Sequence, residues 1–160
     1  TSFALKSSGF AMRVLYSDPM PNEVLESMVN AKRVTLEELL ERSDFVSLHV
    51  PLTERTRHLI GERELETMKA SAVLVNTSRG PIVDEAALVK ALRAGKIAAA
   101  GLDVYEDEPR LAPGLAKLPN AVLCTHIGSA TVQTRSKMAA MAAEDLLAVL
   151  EGRQPSHIVI

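Results

Sequence analysis

The sequence predicts an α/β fold in which helices pack against a parallel sheet, and two observations support this prediction. Short apolar runs alternate with longer amphipathic segments along the 160 residues, and this alternation is typical of crossover connections between parallel strands. The apolar residues are mainly Ala, Val and Leu, with no Trp, two Tyr and three Phe. A core of this composition is built from aliphatic side chains, as in helices laid on a parallel sheet.

Five apolar runs have the length and composition of short strands. They are Arg13–Ser17, Phe45–Val50, Ala72–Asn76, Ile97–Val104 and Ala121–Cys124. Segments with apolar residues at three- and four-residue steps predict helices between and after these runs. The predicted helices are Pro21–Met28, Val34–Arg42, Glu62–Met68, Glu85–Ala94 and Thr131–Leu150.

Capping residues predict where two of the helices begin and end. Thr35 and Glu38 have the spacing of a capping box at the start of the second helix. Asp84 is placed to cap the helix Glu85–Ala94, which is expected to close at Gly95.

Two further expectations concern the first and last helices. Thr1–Ser8 is predicted to be the remainder of a helix, with Gly9 as its C-terminal cap. In the long helix Thr131–Leu150, apolar residues recur at helical spacing and are predicted to form one buried face. These residues are Val132, Met138, Ala139, Ala142, Leu146, Val149 and Leu150.

Charge and composition argue against several classes of function. The formal net charge is −2 with both signs scattered along the chain, so we expect no nucleic-acid partner, which would need a basic face. No apolar run reaches the ~18 residues of a membrane span and no secretory leader is recognisable, so we expect no membrane partner. The single Cys124 fits a reducing, cytoplasmic location, and the sequence has no CxxC metal motif.

Every predicted strand ends in polar or conformationally special residues. Ligands of parallel α/β sheets bind beyond the carboxyl ends of the strands, so this repetition predicts a ligand site there. The residues concerned are Asp18, His49–Pro51, Asn76–Gly80, Asp103 and His126.

Asp18 follows the first predicted strand and directly precedes Pro19. In a dinucleotide-binding fold, an acid at this place accepts hydrogen bonds from the adenosine ribose. It also repels a 2′-phosphate, which favours NAD over NADP. An Asp in a turn before Pro is the structural alternative, and Asp18 alone leaves both interpretations open.

The glycine fingerprint GxGxxG, which precedes such an acid by ~20 residues, is absent from this sequence. Counting back from Asp18 places it at or before the first residue. We therefore predict a Rossmann-like doubly wound parallel sheet that is incomplete, with the first strand and the glycine loop missing from the chain. That strand lies mid-sheet, so its absence leaves a gap with two unpaired edges, and we expect the fragment alone to be neither stable nor active.

Four segments give the sequence a family resemblance: HVPLT (His49–Thr53), LVNTSRGPIVDEAAL (Leu74–Leu88), AGLDVYEDEP (Ala100–Pro109) and THIGSAT (Thr125–Thr131). In this order they resemble the D-isomer-specific 2-hydroxyacid dehydrogenases over nearly the whole chain. That family includes glyoxylate and hydroxypyruvate reductases, phosphoglycerate dehydrogenases, D-lactate dehydrogenases and formate dehydrogenases. THIGSAT is similar to the glyoxylate/hydroxypyruvate reductase branch.

The resemblance implies three catalytic residues and no metal. Arg79 matches the arginine that grips the substrate carboxylate and carbonyl, a task suited to the paired, charge-assisted hydrogen bonds of a guanidinium. His126 matches the histidine that supplies a proton to the developing alkoxide. Glu108 matches the carboxylate that orients this histidine and favours its acid form, whereas the nearby Glu106 is out of register with the family.

The resemblance also implies contacts with NAD. The residues expected near the adenosine and pyrophosphate are Asp18, His49, Val50, Pro51 and Thr56. The residues expected near the nicotinamide and its ribose are Thr77, Ser78, Asp103, Gly128 and Ser129. Asp103 matches the acid that holds the carboxamide, which orients the hydride-bearing ring.

Each catalytic assignment has a structural alternative. Arg79 would be an exposed turn arginine, Glu108 part of a solvated acidic run, and His126 a packed histidine at a strand end. The resemblance favours the catalytic roles for these three. His58 and His157 have no such support and are interpreted as structural or surface groups, as is the imidazole of His49.

Residues 1–150 are expected to form a partial NAD-binding domain, and residues 151–160 a tail returning toward an absent substrate domain. The resemblance implies a homodimer that acts on a small 2-hydroxy acid or 2-oxoacid. A different interpretation is a truncated, non-catalytic homologue that acts only as a structural or binding module. A dinucleotide-sensing corepressor is expected to alter the Arg79, Glu108 and His126 set, and the joint presence of NTSRG and THIGSAT disfavours an S-adenosylhomocysteine hydrolase.

Overall fold

A computed structural model of the chain describes residues 1–158. The residues from Thr1 to Cys124 form one compact unit, and the residues from Thr125 onward form a second. Residues 151–158 of the predicted tail belong to the second unit, and residues 159 and 160 lie outside the described residues.

The observed helices and strands follow the predicted alternation. The strands are β1 (Leu15–Tyr16), β2 (Lys32–Arg33), β3 (Phe45–Leu48), β4 (Val73–Asn76), β5 (Ala99–Leu102) and β6 (Ala121–Leu123). The helices are α1 (Ser2–Ser7), α2 (Glu23–Val29), α3 (Leu36–Arg42), α4 (Glu62–Thr67), α5 (Glu85–Arg93) and α6 (Val132–Leu150). Short 3-10 turns cover Ser8–Phe10, Gly80–Ile82 and Leu115–Lys117.

Every pairing between these strands is parallel, as predicted. Strands β3, β4, β5 and β6 form one four-stranded sheet in chain order, and β1 and β2 form a separate two-stranded sheet. Among the described residues, β1 pairs only with β2, and β3 pairs only with β4. Within residues 1–158, no pairing between β1 and β3 joins the two sheets. The division between β1 and β3 is where the predicted gap lies, so the incomplete Rossmann-like α/β fold is confirmed.

The sequence does not predict β2. Both of its residues, Lys32 and Arg33, are exposed, so the strand lacks the apolar run that marks a buried strand. It forms through backbone pairing with Leu15 and Tyr16 of β1, and a backbone ladder needs no particular side chain.

The main core lies around the four-stranded sheet. Strands β3 and β4 bury alternate residues, such as Val46 with Leu48 in the former, which is the period of two expected for strands. Leu65 of α4 and Leu88 of α5 are completely buried in the same cluster, and each such side chain contributes roughly 1.5–3 kcal/mol. A second, smaller cluster joins β1 to α2 and consists of Tyr16, Leu25 and Ala31.

The predicted helix caps are present, with one difference. The side-chain oxygen of Thr35 accepts a hydrogen bond from the backbone N–H of Glu38 at 3.1 Å, and Asp84 Oδ1 accepts from Ala87 N–H at 2.9 Å. The Glu38 carboxylate pairs with Arg42. Only the Thr35 half of the predicted capping box is therefore formed.

Two predictions about helix ends and faces are wrong. Gly9 does not cap α1, because the chain continues through the 3-10 turn Ser8–Phe10 and the left-handed residue is Ala11, with φ 53°. The apolar face of α6 is not buried: Val132 is 85% exposed and Leu150 is 73% exposed. A hydrophobic period shows which side chains share a face, whereas burial also requires a surface to cover them.

Candidate active site

Three neighbouring parallel strands end at the same level of the sheet. Leu48 of β3, Asn76 of β4 and Leu102 of β5 lie side by side in register, and Leu123 of β6 continues the row. The chain segments that follow this row include the predicted residues His49, Thr77 and Asp103. The register thus gathers three of the predicted segments at one carboxyl edge, where sheets of this class bind ligands.

Asn76 fixes the backbone of the loop that carries Arg79. Its side chain is 1% exposed, and its Nδ2 donates to the carbonyl of Arg79 at 2.9 Å. Its Oδ1 accepts from the backbone N–H and the hydroxyl of Ser78, at 3.1 and 2.9 Å. Arg79 is exposed, with Nη1 donating to the Ser78 carbonyl at 2.7 Å. An exposed guanidinium on a fixed backbone suits a residue that grips an anion.

Gly80 allows the Arg79 loop to touch the segment that follows β5. A Cβ placed on Gly80 would lie 1.9 Å from both the carbonyl carbon and the carbonyl oxygen of Tyr105. It would also lie 2.5 Å from the backbone nitrogen of Glu106. Since real Cβ atoms essentially never come within 3.0 Å, this backbone contact requires glycine.

Glu85, the first residue of α5, anchors the segment that carries Glu108. Its carboxylate is buried, with 4% of the residue exposed, and it accepts from the backbone N–H groups of Glu106 and Ala112. Glu108 is itself exposed, and its Oε1 accepts from the backbone N–H of Tyr105 at 3.0 Å. The sequence does not single out Glu85, because an acid in the first turn of a helix is common for dipole reasons alone.

His58 also contacts this segment. Its Nε2 lies 2.5 Å from Glu106 Oε1, and its backbone N–H donates to the carbonyl of Pro81 at 2.8 Å. Glu106, which does not align with the catalytic acid of the family, thus pairs with His58. The prediction that His58 is a structural or surface group agrees with this partly exposed ion pair.

Tyr105 ties the end of β5 to the end of β6. Its ring is buried, and its hydroxyl donates to the carbonyl of Cys124. Burial raises the pKa of Tyr105, as do the charges of Cys124, Asp103 and Glu85. The phenol therefore stays a donor and holds the two strand ends together. Asp103, two residues earlier, is also buried, and its backbone N–H donates to the carbonyl of Asn76 at 3.0 Å.

The loop after β3 is exposed and internally braced. The Thr56 hydroxyl donates to the carbonyl of Pro51 at 2.6 Å and accepts from the backbone N–H of Thr53 at 2.8 Å. Val50 packs against the main core. The His49 ring lies 5.4 Å from the Phe3 ring, and desolvation by burial lowers the pKa of His49. Desolvation thus disfavours the charged form of the His49 ring, which lies beside an aromatic ring.

Asp18 lies two residues past β1 and is exposed. Its Oδ1 accepts from the backbone N–H of Met20 at 2.9 Å, so the turn of the structural alternative is present. Arg33 of β2 donates to the backbone carbonyls of Asp18 and Pro19, at 3.0 and 2.6 Å. The carboxylate stays on the surface, where it can also accept from a ribose hydroxyl.

The second compact unit contains His126, Gly128 and Ser129. His126 has a left-handed backbone, with φ 57°, as do Ala11, Asn30 and His58, and this conformation is uncommon for a residue other than glycine. The following residues turn into α6, whose cap Thr131 accepts from the backbone N–H of Thr134 at 3.1 Å. The meeting of Arg79, Glu108 and His126 at one cleft stays a prediction from the sequence.

His157 also belongs to the second unit and interacts with α6. Asp145 accepts from the backbone N–H of Ser156 at 2.8 Å and pairs with His157 Nδ1 at 3.1 Å. The hydrogen bond from Ser156 lowers the pKa of Asp145, and His157 adds to the effect. This contact fits the surface role predicted for His157.

Residues 1–158 contain neither a membrane-spanning helix nor a metal-binding cluster. No helix there is long and apolar enough to cross a membrane. Within the same range, no three His, Cys, Asp or Glu side chains are grouped so as to hold a metal ion.

Residues 1–128 match the family model described as D-isomer specific 2-hydroxyacid dehydrogenase, NAD binding domain. The chain belongs to this family. It is 54% identical to a glyoxylate reductase of Korarchaeum cryptofilum over 158 residues, covering 98% of this chain and 47% of that protein. The chain thus spans about half the length of the curated relatives it matches.

Solved structures agree with this assignment. A glyoxylate reductase from Paecilomyes thermophila matches with a TM-score of 0.83 and 44% identity, covering 94% of this chain and 46% of that one. A D-lactate dehydrogenase with NAD+ from Lactobacillus jensenii matches with a TM-score of 0.87 and 29% identity, covering 99% and 52%. The NAD-binding fold of the family therefore describes this chain.

The arrangement of strand ends at the carboxyl edge of this chain is suited to binding NAD. Leu48, Asn76 and Leu102 end their strands in one row, and an exposed acid, Asp18, follows the strand β1. A dinucleotide bound to this class of fold lies across the strand ends, and an acidic side chain accepts a hydrogen bond from its ribose.

Proposed function

We propose that this chain is the cofactor-binding part of an oxidoreductase that transfers a hydride between NAD(H) and a small D-2-hydroxy acid or 2-oxoacid. One observation carries the proposal: the register of β3, β4 and β5 gathers the segments HVPLT, NTSRG and LDVYEDEP at one carboxyl edge. The names of the relatives favour a glyoxylate-like or hydroxypyruvate-like substrate.

The chain supplies substrate binding and proton transfer in this proposal. The residues at the carboxyl edge would hold NADH, which would supply the hydride when bound. Arg79, whose backbone Asn76 holds, grips the substrate carboxylate and polarises the carbonyl. His126 donates a proton to the carbonyl oxygen as negative charge develops there. Glu108 orients the imidazole and favours its protonated form.

The cofactor contacts follow from the same edge. The proposed residues are Asp18, His49, Val50, Pro51, Thr56, Thr77, Ser78, Asp103, Gly128 and Ser129. Asp18 favours NAD over NADP by charge.

Assembly and location complete the proposal. By analogy with the family, the whole protein acts in the cytoplasm as a homodimer. Sedimentation of the intact protein that contains these residues is expected to give the mass of two copies, and a monomer at working concentration would contradict this part.

The test is a steady-state assay on that intact protein. We expect NADH-dependent reduction of glyoxylate or hydroxypyruvate, with NADPH the poorer cofactor. His126→Ala is expected to lower kcat about 10²- to 10⁴-fold with NADH binding retained. His157→Ala, a histidine of the tail, is the matched control and should leave kcat unchanged. Absence of both NADH binding and turnover of any small 2-oxoacid would instead favour the non-catalytic homologue.

A further inference from the structure

The segment 105–112, here called the acidic loop, carries Glu108 and is held by one buried charge. We propose that Glu85 is a positioning residue, whose carboxylate holds the acidic loop in the conformation that lets Glu108 serve the proton donor. This inference rests on the proposed function and adds a residue to its machinery.

The contacts of Glu85 bracket Glu108. Oε1 of Glu85 accepts from the backbone N–H of Glu106 at 2.5 Å, and Oε2 accepts from the backbone N–H of Ala112 at 3.1 Å. One anchored position precedes Glu108 and the other follows it. The conformation between them is therefore restrained at both ends.

The chemistry of the contact requires a carboxylate. Both oxygens of Glu85 accept from N–H donors, and a carboxylate is an acceptor on both oxygens. Glutamine would present an NH₂ group to one of these donors and leave it without an acceptor. A buried charge is costly unless hydrogen bonds compensate it, and here two backbone donors and the N-terminus of α5 do so.

Two side-chain pairs of the acidic loop are exposed. His58 pairs with Glu106, with side chains 41% and 30% exposed, and Arg110 pairs with Asp107 at 2.7 Å within the loop. Exposed ion pairs of this kind contribute about 0–1 kcal/mol. Glu85 is a buried anchor, as is the ring of Tyr105, so the loss of Glu85 should free the acidic loop more than the loss of either exposed pair.

A freed acidic loop has a specific catalytic consequence. Glu108 would spend less time beside the proton donor, so the donor would lose its proton at lower pH. Substrate reduction needs the protonated donor, so activity should fall mainly on the alkaline side of the pH profile. A uniformly destabilised enzyme would instead lose activity equally at all pH values.

The experiment compares Glu85→Gln with Glu62→Gln in the intact protein that contains this chain. Glu62 is also the first residue of a helix, α4, but is exposed, so the control matches helix position and chemistry. For Glu85→Gln we expect the alkaline midpoint of kcat/KM to move down by about one pH unit. Above that midpoint kcat/KM falls about tenfold, while KM for NADH is unchanged. The control should match the wild type.

An unchanged midpoint, or an equal loss at all pH values, would overturn the inference. If Glu85→Gln does not fold, Glu85→Asp keeps both acceptor oxygens on a shorter side chain, and the midpoint should shift in the same direction. An unchanged midpoint in a folded Glu85→Asp would also overturn it.

Hydrogen exchange separates this inference from the proposed function. The amides of Glu106 and Ala112 should lose protection in Glu85→Gln and keep it in Glu62→Gln. If the wild type reduces no 2-oxoacid, the proposed function fails. The exchange data then decide alone whether Glu85 holds the acidic loop: loss of protection supports the anchor, and retained protection overturns it.

Discussion

Replacing Gly80 with alanine should force two loops of the candidate site apart. The new Cβ would lie 1.9 Å from the carbonyl carbon and oxygen of Tyr105, whereas ordinary contact begins at 3.4 Å. The difference, 3.4 minus 1.9, requires a movement of about 1.5 Å. Both Gly80 and Tyr105 are buried, and both contacting groups are backbone, so no side chain can rotate away.

The expected loss of stability follows from this overlap. Overpacking a filled interior costs typically about 1–3 kcal/mol, and we expect the upper end, about 3 kcal/mol, because the backbone itself must move. With a urea m-value of about 2 kcal/mol per M, the unfolding midpoint should fall by about 1.5 M.

Urea unfolding of the intact protein, followed by far-UV circular dichroism, measures this loss. The matched control is Gly101→Ala in β5, where the nearest atom to a new Cβ is Val75 Cγ2 at 3.9 Å. The control should lose less than about 0.5 kcal/mol. A Gly80→Ala midpoint equal to the wild type, or an equal fall in both variants, would refute the reasoning about close approach.

Three further predictions test the Arg79 loop, the pKa of His49 and a helix cap. Asn76→Asp replaces the donor to the Arg79 carbonyl with an acceptor, so KM for the 2-oxoacid should rise about tenfold with NADH binding unchanged. Equal KM values would contradict this role. Burial lowers the pKa of His49 from 6.5, so the unfolded chain binds this proton more tightly and stability falls as the pH drops below that value. His49→Gln should remove this part of the pH dependence of the urea midpoint, and an identical slope in the variant would argue against it. Asp84→Ala removes the cap of α5 and should cost about 1 kcal/mol in the same unfolding assay, where an unchanged midpoint would speak against the cap.

Local signals explain why much of the fold is predictable from the sequence. The caps Thr35 and Asp84 each contact an N–H three residues away, so the pattern and the contact lie in the same short segment. The strands β3, β4 and β5 are marked by apolar runs, and their parallel pairing follows from the intervening helices. The segments of the candidate site are predictable too, because their residue types stand at strand ends.

Predictions are wrong where the outcome depends on more than the local sequence pattern. The apolar period of α6 is real, but Val132 and Leu150 stay exposed. Ala11 takes the left-handed position expected for Gly9, because a 3-10 turn extends α1. Neither outcome is encoded by spacing alone.

The sequence by itself determined the alternation of strands and helices, the N-terminal caps Thr35 and Asp84, the divided parallel sheet and the chain segments that carry the candidate chemistry. Only the tertiary structure decided that Glu85 holds Ala112, which lies 27 residues away, and that His58 pairs with Glu106 across 48 residues. The physical reason is the sequence separation over which each interaction acts. Periodicity and capping act over three or four residues, whereas these contacts exist only after the sheet register has brought distant segments together.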